Sequence, residues 1–152
     1  MLQTTICYIF NENNQVLLQH KAKGFGQGKW NGPGGKIEEN ENEMECIIRE
    51  VKEETGISIM EAEKIAKFDF IFAEKDDWNN QSHVFLAKKW EGELTESDEG
   101  KLEWFNVDKI PFDEMWEDDK IWLRDVLKGI PLRYRFYFDK SQRLYYFKNL
   151  SK

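Results

Sequence analysis

Hydrophobic positions along the chain come in short blocks separated by polar or glycine-rich stretches. Residues 4–10 (TTICYIF) gather β-branched and aromatic side chains and predict a strand. The polar run NENN (11–14) predicts a turn, and residues 15–20 predict a second strand, paired with the first as a hairpin. Two further strands are predicted at 67–73 and 82–88, joined by the polar loop EKDDWNN, and a short one at 104–107. Residues 133–147 predict a terminal hairpin that turns near DKSQ. Elsewhere the period is helical. Met44, Ile47, Ile48 and Val51 recur at helical spacing and predict one buried face of a helix running from Glu41 or Asn42 to Thr55, stopped by Gly56. A second helix is predicted over 118–129, with Asp at its start and Gly129 at its stop. Strands alternating with helices predict a single α/β domain over residues 1–152, a mixed sheet flanked by two helices.

Composition narrows the function. Six Trp, eleven Phe and five Tyr supply a packed core and argue against disorder, even with 34% charged residues. The net charge of −7 disfavours a partner such as duplex nucleic acid, whose phosphates are neutralised by Lys and Arg. It leaves room for a small phosphorylated ligand, because a divalent cation can bridge carboxylates to phosphates. Cys7 and Cys46 form neither a disulfide framework nor a zinc motif and fit two reduced thiols of a cytoplasmic protein. The opening MLQTTICYIF lacks the basic region and cleavage site of a signal peptide, and no apolar run is long enough to span a membrane. His20 and His83 form no metal-binding pair and are read as surface or structural residues. A monomer is expected, since no coiled-coil seam is present.

The first predicted helix carries an electrostatic oddity. Glu50, Glu53 and Glu54 lie largely opposite its apolar face, at i, i+3 and i+4. A solvated face is the ordinary explanation. Yet Glu50 and Glu54 are a like-charge pair, unfavourable by ~0.2–0.5 kcal/mol. Glu53 and Glu54 also sit in the last turn, where the helix dipole is negative, at a further ~0.3–1 kcal/mol each. Arg49 and Lys52 relieve only part of this. A carboxylate cluster that opposes its own helix is a candidate site for a hard divalent cation. The preceding loop, KGFGQGKWNGPGGK (23–36), supports that reading. It is not a Walker A loop, since Lys36 is followed by Ile37. Gly32, Gly34 and Gly35 around Pro33 nevertheless leave bare backbone that can approach a metal or a phosphate.

The spacing from Gly35 through five residues to Glu41, then seven more to REVKEETGI, is that of the Nudix box, with Gly35, Glu41, Arg49, Glu50, Val51, Glu53, Glu54, Gly56 and Ile57 all in place. The chain therefore resembles the Nudix hydrolases. The resemblance implies an α/β/α sandwich with a mixed sheet and a Nudix loop-helix-loop. It implies hydrolysis of a nucleoside diphosphate linked to another group, with Mg²⁺, for which Mn²⁺ can substitute. Glu50, Glu53 and Glu54 would then be metal ligands, with backbone carbonyls of Gly34 or Gly35 completing the shell. Arg49 would hold the glutamates, and Glu41 would brace the junction of loop and helix. On this view the carboxylates repel one another until a cation fills the space between them.

Beyond the box, KGFGQGKWNGPGGK and ESDEGKLEWFNVDKIPFDEMWEDD resemble the MutT-homologue branch, which cleaves oxidised purine nucleoside triphosphates such as 8-oxo-dGTP. The likeness runs from about residue 4 to 147 and is weakest in the loop 74–81. It implies that Asn31, after Trp30, and Trp116, Asp118 and Asp119 read the base. Phe25, Phe70 and Phe72 would be aromatic walls, Lys21 would lie near the phosphates, Lys36 would also bind substrate, and Glu99 would bring a further carboxylate to the metals. Water would attack the β phosphorus in line, giving a monophosphate and pyrophosphate and so clearing the nucleotide pool. Glu53, Glu54 and Glu99 are all candidates for the base.

Taken without the resemblance, these residues have plainer roles. Asp118 and Asp119 precede a helix, where Asp serves as a cap. Trp116 and the phenylalanines fit the core, Asn31 a turn, Lys21 and Glu99 a solvated surface. Two rival functions also stay open: a Nudix pyrophosphatase of another nucleotide, and a catalytically silent domain that binds nucleotide or protein.

Overall fold

A computed structural model of the chain describes residues 1–151 and contains eight strands and two α-helices among them. The strands are β1 (Leu2–Ile9), β2 (Gln15–Lys21), β3 (Trp30–Asn31), β4 (Ser58–Phe72), β5 (Asn80–Glu91), β6 (Gly100–Asn106), β7 (Leu132–Phe138) and β8 (Leu144–Asn149). The helices are α1 (Glu43–Thr55) and α2 (Asp119–Leu127). A five-stranded mixed sheet has the order β1-β5-β4-β7-β8, with β1–β5 and β4–β7 parallel. A smaller antiparallel sheet, β3-β2-β6, stands beside it.

Strand alternation divides the core into two layers. On one face of the large sheet Cys7, Ile9, Phe85 and Ala87 pack with Ile47 and Val51 of α1 and with Ile57 and Ile59. On the other, Tyr8, Val84, Leu86, Phe68, Phe136 and Phe138 pack with Trp122, Leu123 and Val126 of α2. The mixed sheet thus lies between two helices, an α/β/α sandwich. Each fully buried large side chain contributes roughly 1.5–3 kcal/mol of transfer free energy, and the layers fix both helices relative to the strand ends.

Helix α1 is closed at both ends by local chemistry. Asn42 caps it through a reciprocal pair: its side chain accepts from the Glu45 N–H at 2.8 Å, and the Glu45 carboxylate accepts from the Asn42 N–H at 2.9 Å. Gly56 ends it in the left-handed region at φ 81°, and a Cβ there would come within 2.7 Å of the Glu93 carbonyl.

Several expectations need correction. The first two strands do not form a hairpin within one sheet. The Phe10–Val16 bridge and a bond from Asn11 N–H to the Gln15 carbonyl join them at the turn, after which β1 pairs with β5 and β2 with β6 and β3. Residues 7–10 are buried on both faces, Tyr8 and Phe10 in one core layer and Cys7 and Ile9 in the other, which a strand paired only into a surface hairpin would not be. On α1, Ile48 is 41% exposed and Cys46 is buried in its place, so the apolar stripe is rotated from the one expected. The strand at 67–73 is the second half of the long β4, and that at 104–107 belongs to β6. Asp118 does not cap α2: its backbone is already helical and its side chain bonds no backbone N–H of the first turn.

Candidate active site

The glycine loop is held against the edge of β1. Thr5 N–H donates to the Gly35 carbonyl at 2.8 Å, Cys7 N–H to the Pro33 carbonyl at 2.8 Å, and Ile37 N–H to the Gln3 carbonyl at 3.0 Å. Only glycine fits at the turning points. A Cβ on Gly34 would fall 2.1 Å from the Thr5 carbonyl, and one on Gly35 would fall 2.6 Å from the Glu50 carboxyl carbon. Bare backbone at Gly35 therefore lets α1 bring Glu50 against the loop. The Gly35 carbonyl is turned to Thr5, whereas the Gly34 carbonyl accepts no backbone hydrogen bond among the described residues.

Arg49 organises the acidic end of this arrangement. Its Nε and one terminal nitrogen grip both oxygens of Glu41 at 2.7 and 2.9 Å, and its other nitrogen donates to Glu50 at 2.6 Å. It also reaches the Lys36 carbonyl at 3.1 Å and Glu53 at 3.5 Å. The guanidinium holds Glu41 well below the usual carboxylate range. Arg49 thus ties loop to helix and fixes the direction of Glu50 without lining the cavity described below.

Glu54 is buried beside Glu50, whereas Glu53 is exposed. Burial, reinforced by the hydrogen bond and charge of Glu50, pushes the Glu54 carboxyl up to about 9. Glu99, on the loop before β6, adds to that repulsion, and Lys21 opposes it. Lys21 Nζ in turn meets Glu99 at 3.1 Å. The structure thus brings Glu50, Glu54, Glu99 and Lys21 into one electrostatic neighbourhood, with Glu53 at its exposed side. They are not yet set as a coordination sphere: among the described residues no group of three or more His, Cys, Asp or Glu stands ready to hold a metal. The donor set nevertheless suits a hard cation. A carboxyl that keeps its proton because it is buried and crowded by a neighbouring carboxylate is one that a divalent ion can convert to a ligand.

A cavity of about 400 Å³ opens next to this cluster, and Lys21, Gly34, Gly35 and Lys36 line its near end. Asn31, Phe25, Phe70, Phe72, Trp116, Asp118 and Asp119 line the rest, so the residues assigned to base reading share one cavity. Asn31 Oδ1 is occupied by the Gly32 N–H at 2.9 Å and the Tyr8 hydroxyl at 3.4 Å, which leaves the amide NH₂ for a ligand. Trp116 is not a bare platform, because Phe25 stacks on it with ring centres 5.2 Å apart and planes 20° from parallel. Phe72 is buried and stacks on Phe138, and Phe70 stacks on Phe136, so both belong to core and wall at once.

Asp118 and Asp119 are 2% and 3% exposed at the cavity floor. Trp122 Nε1 donates to Asp118 at 2.7 Å. Burial pushes the Asp118 carboxyl up to about 6 against that bond. Burial and then the neighbouring Asp118 push Asp119 well above the carboxylate range. Of the two, Asp119 is held toward its neutral, donating form by burial and by Asp118, while the Trp122 N–H favours Asp118 as the acceptor.

Several cavity residues went unnoticed in the sequence: Trp122 behind the polar groups, Gln19, Asn80 and Ser82 on strands, and Trp78, edge-on to Phe25 at 4.9 Å. Of these, Gln19 alone carried a signal, a polar residue within an apolar strand.

Comparison with known proteins agrees with this geometry. The profile of the NUDIX domain matches residues 2–126. The chain is 44% identical over 114 residues to the oxidized purine nucleoside triphosphate hydrolase of Danio rerio, covering 75% of this chain and 72% of that protein. It is 29% identical over 111 residues to the 8-oxo-dGTP diphosphatase of Escherichia coli (strain K12), covering 70% of this chain and 81% of that one. Among solved structures, the MutT protein of Bacillus halodurans superposes with a TM-score of 0.88 at 29% identity, covering 100% of this chain and 99% of its own. Nudix hydrolases generally need a divalent metal, and no helix here is long and apolar enough to cross a membrane. With the box complete, the fold shared and the profile matched across most of its length, the chain belongs to the Nudix hydrolases.

Proposed function

We propose that the protein hydrolyses oxidised purine (deoxy)nucleoside triphosphates, 8-oxo-dGTP foremost, to the monophosphate and pyrophosphate with Mg²⁺ as its metal. One observation carries the reading: the cavity joins a buried carboxyl pair, Asp118 and Asp119, to an end lined by Lys21 beside the glutamate cluster. A purine needs flat apolar walls and a few fixed polar groups, and the other end of the molecule needs cationic and metal-binding groups. Names given to the relatives from Danio rerio and Escherichia coli point to the same substrate class.

The chain's residues divide the work. The Asn31 NH₂, the Asp118 carboxylate and the Asp119 hydroxyl fix the purine edge, and the aromatic walls exclude water around it. Lys21 faces the phosphates from its bond to Glu99. Glu50, Glu53, Glu54 and Glu99 would hold Mg²⁺ with help from the Gly34 carbonyl, and Arg49 keeps Glu50 aimed. When bound, the cation supplies charge neutralisation on the phosphates and lowers the pKa of water. Glu53, Glu54 and Glu99 are the candidates to take the proton of the attacking water. Fixing the polyphosphate in line is where most of the acceleration arises.

Side-by-side kinetics on 8-oxo-dGTP, 2-hydroxy-dATP and dGTP, with and without Mg²⁺, test the proposal. Magnesium-dependent pyrophosphate release favouring the oxidised bases is the expected result. Equal rates on dGTP, or none on any of the three, would overturn it.

A further inference from the structure

Four buried side-chain polar atoms lack a hydrogen-bond partner among the described residues, and three of them, on Gln19, Ser82 and Asp119, belong to residues that line the one cavity. Asp119 is already placed at the purine edge. Gln19 is different. It is 2% exposed, it follows directly on the buried run Val16–Leu18 of β2, and its Nε2 bonds to nothing among the described residues. Buried amides are ordinarily paired, so one left unpaired in a residue that lines a cavity implies a partner that arrives with the ligand.

Register fixes where that partner lies. Gln19 is directly opposite Asn31 across the β2–β3 ladder, so the two side chains rise from the same face as neighbours. It is also two residues before Lys21, hence again on the same face. Asn31 belongs to the base end of the cavity and Lys21 to the phosphate end. A nucleotide laid between them places its sugar over Gln19. Gly100 leaves room for the side chain, since a Cβ there would stand 3.2 Å from Gln19 Cγ.

We infer that Gln19 is a specificity-determining residue that hydrogen-bonds the sugar 3′-hydroxyl of the substrate. The hydroxyl suits the site because it both donates and accepts, and so satisfies the amide whichever way it is turned. The inference rests on the proposed nucleotide substrate. It adds recognition of the sugar to that of base and phosphates.

Deleting the partner on each side tests it. Wild type, Gln19→Met and Gln19→Leu are compared on 8-oxo-dGTP and on its 2′,3′-dideoxy counterpart, with thermal melts to establish that each variant is folded. Wild type should favour the 3′-hydroxylated substrate by about tenfold in kcat/KM, the size of one hydrogen bond. Both variants should lose that preference while handling the dideoxy substrate as wild type does. A preference that survives in the folded variants, a loss of equal size on both substrates, or no preference in wild type overturns the role of Gln19. No turnover of either nucleotide by wild type overturns instead the substrate assignment on which it rests. If neither variant folds, Gln19 is structural and the inference falls.

Discussion

Trp122 Nε1 donates to the Asp118 carboxylate at 2.7 Å inside the fold, and the adjoining Asp119 keeps one oxygen without a partner among the described residues. Both carboxyls are raised above their ordinary value, Asp118 to about 6. The folded state therefore holds protons that the unfolded chain releases near 3.8. Stability from this source is complete below that value and declines as pH rises through about 6 for Asp118 and further for Asp119. Asp119→Asn should flatten the fall in Tm with rising pH. Asp118→Ala should strand the Trp122 N–H and destabilise by about 1–3 kcal/mol. Thermal melts across pH measure both; an Asp119→Asn slope as steep as wild type would refute the assignment.

The same pair should set the choice between oxidised bases. A purine edge that needs one donor and one acceptor meets them in Asp119 and Asp118, and ionising Asp119 turns the donor into a second acceptor. Relative affinity for 8-oxo-dGTP and 2-hydroxy-dATP should therefore change with pH in wild type and stay constant in Asp119→Asn. Parallel profiles for the two ligands in wild type would count against the mechanism.

How much of this was legible in the sequence depends on whether local pattern or distant contact decided it. The span of the helix and its stop at Gly56 were readable, because left-handed glycine and helical periodicity are local, although which residues face the core, Cys46 rather than Ile48, was not. β4 was half missed, since SIMEAEKI is rich in Glu, Ala and Lys, which are scarce in strands, and is strand through pairing with β5 that includes three register shifts. The expected hairpin failed because strand pairing is a long-range matter: β1 found β5, more than seventy residues away. Asp118 illustrates the limit most clearly. Its position before a helix suggests a cap, and only the fold brings Trp122 Nε1 to it. Gln19 and Ser82 acquire meaning only once a cavity is known to lie against them.

Glu54 is the point where stability and catalysis oppose one another. Its buried carboxyl is raised to about 9 by burial and by Glu50. Glu54→Gln keeps the shape and removes the charge, so the metal-free protein should melt no lower than wild type and the fold should be intact. Turnover should fall to background, and the rise in Tm on adding Mg²⁺ should shrink or vanish. Near-normal hydrolysis by this variant would remove Glu54 from the machinery.

Arg49 should be irreplaceable by lysine even though the charge is kept. Its planar fork grips both Glu41 oxygens at 2.7 and 2.9 Å while its third nitrogen fixes Glu50 at 2.6 Å. A lysine ammonium is a point charge on a flexible stem and cannot hold two carboxylates in fixed directions at once. In Arg49→Lys, Glu50 is no longer aimed beside Gly35, and Mg²⁺ affinity should weaken by about 10–100-fold, as for other groups that orient a ligand from behind. Base recognition lies elsewhere in the cavity, so discrimination between 8-oxo-dGTP and dGTP should persist at saturating metal. Titrating Mg²⁺ against turnover separates these effects. An unchanged metal requirement would mean that Glu50 is positioned by its own packing, and loss of base discrimination would mean that the two ends of the cavity are coupled.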